Sequence, residues 1–262
     1  MGRIIAVANQ KGGVGKTTTC VNLAASLAAR NRRVLLIDLD PQGNATMGCG
    51  VDKAGVQHSA YDLLLEKVQC ADIVRRLDEF GFDLVPGNAD LTAADVALMG
   101  AARRERRLAN GLSGVDKDYE YILIDCPPSL NLLTLNALVA ANSLLIPMQC
   151  EYYALEGLSS LMETLANIRA TVNPGLRLEG LLRTMHDPRS RLTRDVSEQL
   201  IRYFGDSVFS TFIPRNIRLA EAPSHGLPVL QYDKSSRGAV AYRALAGEII
   251  EQDEKKARDR RP

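Results

Sequence analysis

No apolar run in this 262-residue sequence is long enough to cross a bilayer. The longest, such as Val34 to Ile37 and Leu144 to Pro147, fall far short of the roughly 20 residues a spanning helix needs. The N-terminus enters a strand-like run without the pattern of a signal peptide, so a cytoplasmic protein is expected. The five cysteines, Cys20, Cys49, Cys70, Cys126 and Cys150, form no C-x-x-C pair, which leaves buried reduced thiols as the expectation. His58, His186 and His225 lack metal-ligand spacing and are assigned no chemistry. With 32 basic and 31 acidic residues the net charge is only +1, so any nucleic-acid binding must come from a local patch rather than from bulk charge. Repeats and low-complexity linkers are missing as well.

What is present is ample material for a core: 46% hydrophobic and 24% charged residues. Short runs rich in Ile, Val and Leu alternate with longer stretches of helical period, the pattern of βαβ units. The expected fold is α/β, a doubly wound, mostly parallel sheet flanked by helices, in one domain over residues 1–262. Strands are predicted at Arg3 to Asn9, Val34 to Asp38, Phe82 to Val85, Tyr121 to Asp125, Leu144 to Met148, Leu178 to Thr184 and Val208 to Ile213. Helices are predicted at Thr17 to Ala29, Leu91 to Leu112, Leu132 to Ala141, Leu155 to Thr171, Thr193 to Phe204 and Ser236 to about Lys256. The charged tail is expected to fray from about residue 252.

After the first strand comes Gln10-Lys11-Gly12-Gly13-Val14-Gly15-Lys16-Thr17-Thr18, which opens the first helix. That is the context of a phosphate-binding loop, in which glycines turn backbone N–H groups inward and the helix N-terminus favours negative charge. Lys16 is expected on the β- and γ-phosphates and the Thr17 hydroxyl on Mg²⁺, with Gly12 through Thr18 forming the cradle. Gln10 replaces the first glycine of the strict motif, and Lys11 stands at the loop mouth.

Two acids follow the second strand in Asp38-Leu39-Asp40-Pro41-Gln42-Gly43-Asn44, beyond the carboxyl end where open α/β sheets bind ligands. Asp40 is the candidate for orienting the attacking water, while Asp38 supports either the metal or the loop. Ile122-Leu123-Ile124-Asp125-Cys126-Pro127-Pro128 supplies a hydrophobic strand ending in an acid, and Asp125 is expected to hold Mg²⁺ through water. The paired prolines stiffen a loop that could sense the γ-phosphate.

With these stations in place, the chain resembles the ParA/Soj family of partition ATPases, of the deviant Walker A (ParA/MinD) superfamily, from about Arg3 to Ile250. The likeness is carried by Asn9-Gln10-Lys11-Gly12-Gly13, Asp38-Leu39-Asp40-Pro41-Gln42-Gly43-Asn44-Ala45-Thr46, Gln149-Cys150-Glu151-Tyr152-Tyr153-Ala154-Leu155-Glu156-Gly157-Leu158 and Ile213-Pro214-Arg215-Asn216. The resemblance implies that Lys11 reaches phosphates bound by a second subunit, giving an ATP-sandwich homodimer. It implies that Pro214 and Asn216 line the adenine, and that Arg189 and Arg218, with Arg215 as a weaker candidate, contact DNA. It further implies non-specific double-stranded DNA binding, location on the nucleoid, and slow ATP hydrolysis stimulated by a ParB/Spo0J-type partner. Because the loop begins at Gln10, no helix-turn-helix extension is expected ahead of it.

Between Arg177 and Arg218 eight arginines stand against five acids, a local excess that the whole chain hides. The run Arg103-Arg104-Glu105-Arg106-Arg107 reads more simply as the solvated face of a polar helix. A MinD-like membrane-cycling protein would share the loop but needs a C-terminal amphipathic helix with an apolar face, which Glu251 to Lys256 does not offer. An iron–sulfur protein of the same superfamily would need ligating cysteines beyond Cys126. A small-molecule kinase or synthetase is disfavoured by Lys11, which points to a nucleotide-gated dimer.

Overall fold

Strand β1, Arg3–Val7, sends Ile4 and Ala6 to one hydrophobic core and Ile5 and Val7 to another. β5, Tyr121–Asp125, repeats the alternation with Ile122 and Ile124 against Tyr121 and Leu123. Side chains at i and i+2 share a face of a strand, so a continuous apolar run can serve two cores only where both faces are covered. The computed structural model describes residues 2–152 and 154–258. Its seven strands take the order β3-β4-β2-β5-β1-β6-β7, with β2 at Val34–Asp38, β3 at Arg75–Leu77, β4 at Phe82–Val85, β6 at Ser143–Gln149 and β7 at Arg177–Thr184. Every pairing is parallel except β3 with β4.

Helices Lys16–Ala28 and Arg237–Arg258 cover one face. The second of these buries Ala239, Tyr242, Leu245, Ala246 and Ile249 at helical spacing, and its Tyr242 hydroxyl shares a 3.2 Å hydrogen bond with the Thr19 hydroxyl. Helices Leu132–Ala140, Ala154–Thr171 and Arg191–Phe204 cover the other face. A fully buried leucine such as Leu36 or Leu123 contributes roughly 1.5–3 kcal/mol relative to exposure.

Two expectations need correction. Leu91 to Leu112 is not one helix: Ala94–Ala97 stops before Gly100, at φ +81°, and Arg103, at φ +51°, breaks the chain again before Arg107–Leu112. The arginine run is thus divided between the left-handed Arg103, a 3-10 turn at Arg104–Arg106 and the start of the next helix; Arg103, Arg104 and Arg106 are exposed, Arg106 donates to the Val172 carbonyl and Arg107 pairs with Glu66. Val208 to Ile213 lies along β7 without becoming a strand, touching it through Phe209 N–H to the Leu181 carbonyl and Ile213 N–H to the Arg183 carbonyl. Side chains take the backbone groups that a ladder would use: Arg183 donates to the carbonyls of Phe209 and Ser210, and Glu248 accepts from the amides of Ser210 and Thr211. The C-terminal helix is drawn through Arg258, past residue 252, and residues 259–262, the end of the tail expected to fray, lie outside the described residues. β3 carried no periodic signal and was not expected.

Candidate nucleotide site

β1 ends between β5 and β6, and the chain turns at once through the phosphate loop into the helix Lys16–Ala28. Gly13 (φ +73°) and Gly15 (φ +86°) take the left-handed conformation that an L side chain resists, which lets successive amides turn toward one point. The Thr184 hydroxyl donates to the Val14 carbonyl at 2.8 Å, fastening the loop to the end of β7. A Cβ added at Gly12 or Gly13 would meet no described atom within 4 Å, so both face open space.

Lys16 is 6% exposed and its ammonium donates to the Lys11 carbonyl at 3.1 Å. Burial holds its pKa below the ordinary lysine value, opposed first by the Asp125 charge. Asp38 and Asp125 are side by side at the carboxyl ends of β2 and β5, both 0% exposed, with Asp40 at 7%.

The two Asp38 oxygens are spent on the loop. One accepts from the Asp40 amide at 3.1 Å; the other accepts from the Thr46 amide at 2.8 Å and the Thr46 hydroxyl at 2.7 Å. Of the two roles expected for Asp38, this geometry favours supporting the loop over supporting the metal. Burial pushes its carboxyl up to about 6 against those hydrogen bonds. Asp40 accepts from the Gln42 amide at 2.9 Å through one oxygen, shaping the turn while the other oxygen remains for the cleft.

Asp125 accepts the Cys20 thiol at 3.6 Å, and its Oδ2 is buried without a hydrogen-bond partner among the described residues. Burial, then the Asp38 charge, drives its pKa well above the ordinary carboxyl range, with the Thr17 hydroxyl working the other way.

The charges of Asp125 and Asp40 thus act on the Lys16 ammonium, with Asp38 beside Asp125, where water is largely withdrawn and crowded carboxylates are costly. The orphaned Asp125 oxygen beside Thr17 fits a divalent cation. No group of three or more His, Cys, Asp or Glu side chains among the described residues is disposed to hold a metal alone, so Mg²⁺ would share its shell with phosphates and water. All five cysteines are buried and free of disulfides.

A small cavity of about 190 Å³ opens beside Gly15 and Thr18, lined by Thr184, Met185, Ile213, Pro214, Arg215 and Asn216 among others. It brings Pro214 and Asn216 beside the loop. The Asn216 side-chain oxygen also caps the helix Ile217–Glu221 by accepting from the Arg218 amide at 3.0 Å. One lone pair of that oxygen and the N–H₂ group are left for other partners.

Thr46, Thr184 and Met185 were missed by sequence reasoning. A hydroxyl that fastens a loop has no local pattern, and Met185 is notable only for its φ of +48°. Tyr153, part of the motif around Glu151, lies outside the described residues.

The DNA-contact candidates are exposed, and two of them, Arg189 and Arg218, are paired with acids of the same chain. Arg189 grips Asp187 at 3.1 and 3.2 Å. Arg218 meets Glu221 at 2.7 Å and Asp233 at 3.5 Å. Arg215 is exposed, and its charge helps to hold the Asp187 carboxyl below the ordinary range after the Arg189 hydrogen bonds. A backbone bridge between His186 and Pro214 joins the two segments that carry these arginines.

Left-handed glycines opening a helix, a buried lysine and strand-end acids define a P-loop nucleotide-binding protein with an additional lysine at the loop mouth. A family model described as an AAA domain matches residues 2–178. The sporulation initiation inhibitor protein Soj of Bacillus subtilis is 51% identical over 95% of this chain and 98% of its own length. The chromosome partitioning protein ParA of Myxococcus xanthus is 48% identical over 100% of this chain and 92% of its own length. The chain belongs to this Soj/ParA family.

Among solved structures, cobyrinic acid a,c-diamide synthase of Mycobacterium smegmatis with bound ADP and magnesium matches with TM-score 0.85 at 38% identity, over 97% of this chain and 96% of that one. The Pyrococcus furiosus cell division ATPase MinD matches with TM-score 0.80 at 26% identity, over 96% and 100%.

Proposed function

We propose that this chain is a chromosome-partition ATPase using ATP and Mg²⁺, in which two copies close face to face over their nucleotides and bind DNA without sequence preference. The observation that carries the reading is the mouth of the loop, where Lys11 stands beside Gly12 and Gly13 with open space outward. Such a surface admits the close approach of a second loop, which a metabolite pocket would not need.

ATP supplies the scissile phosphoanhydride, and Mg²⁺ would supply positive charge beside the buried acids. Lys16 and the loop amides bind the phosphates, Thr17 directly and Asp125 through water would hold the metal, and Asp40 positions water near the loop. Pro214 and the Asn216 amide bound the base. Hydrolysis is slow until a ParB-type partner reorders these groups, and it returns the dimer to monomers.

The membrane-cycling alternative finds less support. The C-terminal helix spends its apolar stripe on the core, and no helix among the described residues is long and apolar enough to cross a membrane.

DNA binding measured with ADP, with ATP and with a non-hydrolysable analogue tests the proposal, paired with light scattering. Tight binding and dimers are expected with ATP and the analogue, and weak binding with monomers in ADP. Equal DNA affinity in all three would overturn it.

A further inference from the structure

Lys11 is held by its own chain. Its amide donates to the Asn9 side-chain oxygen at 3.0 Å, and the Asn9 amide group donates to the Pro147 carbonyl at 2.8 Å, which ties the start of the loop to β6. β6 continues to Gln149, whose carbonyl accepts the Glu151 amide at 3.0 Å. These ties, two of them through the Asn9 side chain, bring Lys11 and Glu151 together across 140 residues, and the Lys11 ammonium lies 2.5 Å from Glu151 Oε2. Each side chain is 49% exposed, so the pair stands at the open mouth rather than in the core. The Lys11 carbonyl meanwhile accepts Lys16, placing Glu151 one residue from the phosphate-binding lysine.

We propose that Glu151 is a positioning residue for Lys11, holding it within its own chain and so setting how readily two ATP-bound chains pair. The inference rests on the sandwich reading given above and adds to it the group against which Lys11 is exchanged. Two effects act in the same direction. Lys11 must leave or share its carboxylate to reach a phosphate on the facing chain, and the Glu151 charge at the mouth repels an approaching triphosphate. Both are the electrostatics of half-exposed groups, so both are modest and weaken with salt. Each chain contributes one such latch, and a symmetric dimer releases two.

The test compares wild type with Glu151→Gln, which keeps the shape and an acceptor but removes the charge. The dimerisation midpoint in saturating non-hydrolysable ATP analogue is measured by analytical ultracentrifugation at about 0.05 and about 0.5 M salt. The variant is expected to dimerise about two- to tenfold more tightly at low salt, with the gap closing at high salt. Glu151→Asp should return the midpoint toward wild type, which a merely structural role would not do.

Below the dimerisation midpoint, calorimetry should give the same nucleotide affinity for both proteins. A Glu151→Gln midpoint equal to or weaker than wild type overturns the proposal, as does a gap that persists at high salt or an altered monomer affinity. If wild type itself stays monomeric in saturating analogue, the sandwich reading fails, an outcome distinct from failure of the latch.

Discussion

Asp38 and Asp125 are register partners on adjacent parallel strands, and neither exposes any surface to solvent. Their charges oppose one another at the floor of the cleft, and that opposition has a pH signature. Both carboxyls are raised above their ordinary values, chiefly by burial, so the folded chain holds these protons more tightly than the unfolded chain does. Their contribution to stability is full below the unfolded value near 3.8. For Asp38 it is lost as pH rises through about 6, and for Asp125 as pH rises through its own raised folded value. Asp125→Asn is therefore expected to be more stable than wild type at pH 7 without nucleotide, by on the order of 1–3 kcal/mol. The advantage should shrink toward pH 5 while Mg²⁺-dependent nucleotide stabilisation is lost. Thermal melts across that range check it, and a constant difference would show that the charge is not what Asp125 costs.

Gly12 and Gly13 differ in what a side chain would do to the isolated chain. Gly13 has positive φ, so substitution strains the loop, whereas Gly12 does not and faces open space. Gly12→Val should keep its stability within about 0.5 kcal/mol of wild type and still bind ATP. Light scattering should report a monomer in saturating ATP, because the side chain stands where a second loop would approach. A stable ATP-dependent dimer of this variant would refute the sandwich geometry.

Asp40 commits one oxygen to the Gln42 amide and leaves the other for the cleft. Asp40→Ala should retain ATP binding and dimerisation while slowing partner-stimulated hydrolysis about 10²-fold or more. Loss of the Gln42 contact adds a folding cost of about 0.5–1.5 kcal/mol. Phosphate release measured beside dimer formation separates the two effects. Unimpaired turnover would move the role to another residue, with Asp38 next to test.

Much of this was legible in sequence because the signals are local. Continuous apolar runs marked six of the seven strands, and Gly-x-Gly-Lys-Thr with two strand-end acids marked the phosphate half of the site. What escaped depends on partners distant in the chain. Val208 to Ile213 has the composition of a strand, but Arg183 and Glu248 claim its backbone. The Leu91 to Leu112 stretch has helical period, but left-handed Gly100 and Arg103 interrupt it. That the Asn216 side-chain oxygen doubles as a helix cap appears only once the chain is folded. Glu151 sat within a family motif, yet only the sheet shows that it faces Lys11.

The arginines expected to hold DNA carry their own counter-charges, and this gives the patch a second handle. Arg218 pairs with Glu221 at 2.7 Å and Asp233 at 3.5 Å on an exposed surface, while Arg189 pairs with Asp187. Exposed pairs are worth about 1 kcal/mol or less, so a phosphate displaces them readily, but the acids remain nearby and repel the duplex. Arg218→Ala should keep ATP-dependent dimerisation and weaken binding about equally on unrelated DNA sequences. It should also lower the slope of log affinity against log salt by about one per lost phosphate contact, hence about two in a dimer. Asp233→Asn should act oppositely, because it removes a charge without touching the nucleotide cleft. Its DNA affinity should rise about two- to fivefold at low salt and converge on wild type as screening shortens the reach of the acid. Fluorescence anisotropy over a salt series, on two unrelated duplexes with ATP analogue, reads both. Wild-type affinity in Arg218→Ala would remove that arginine from the interface, and an unchanged Asp233→Asn would show that its acid lies too far from the bound phosphates to matter.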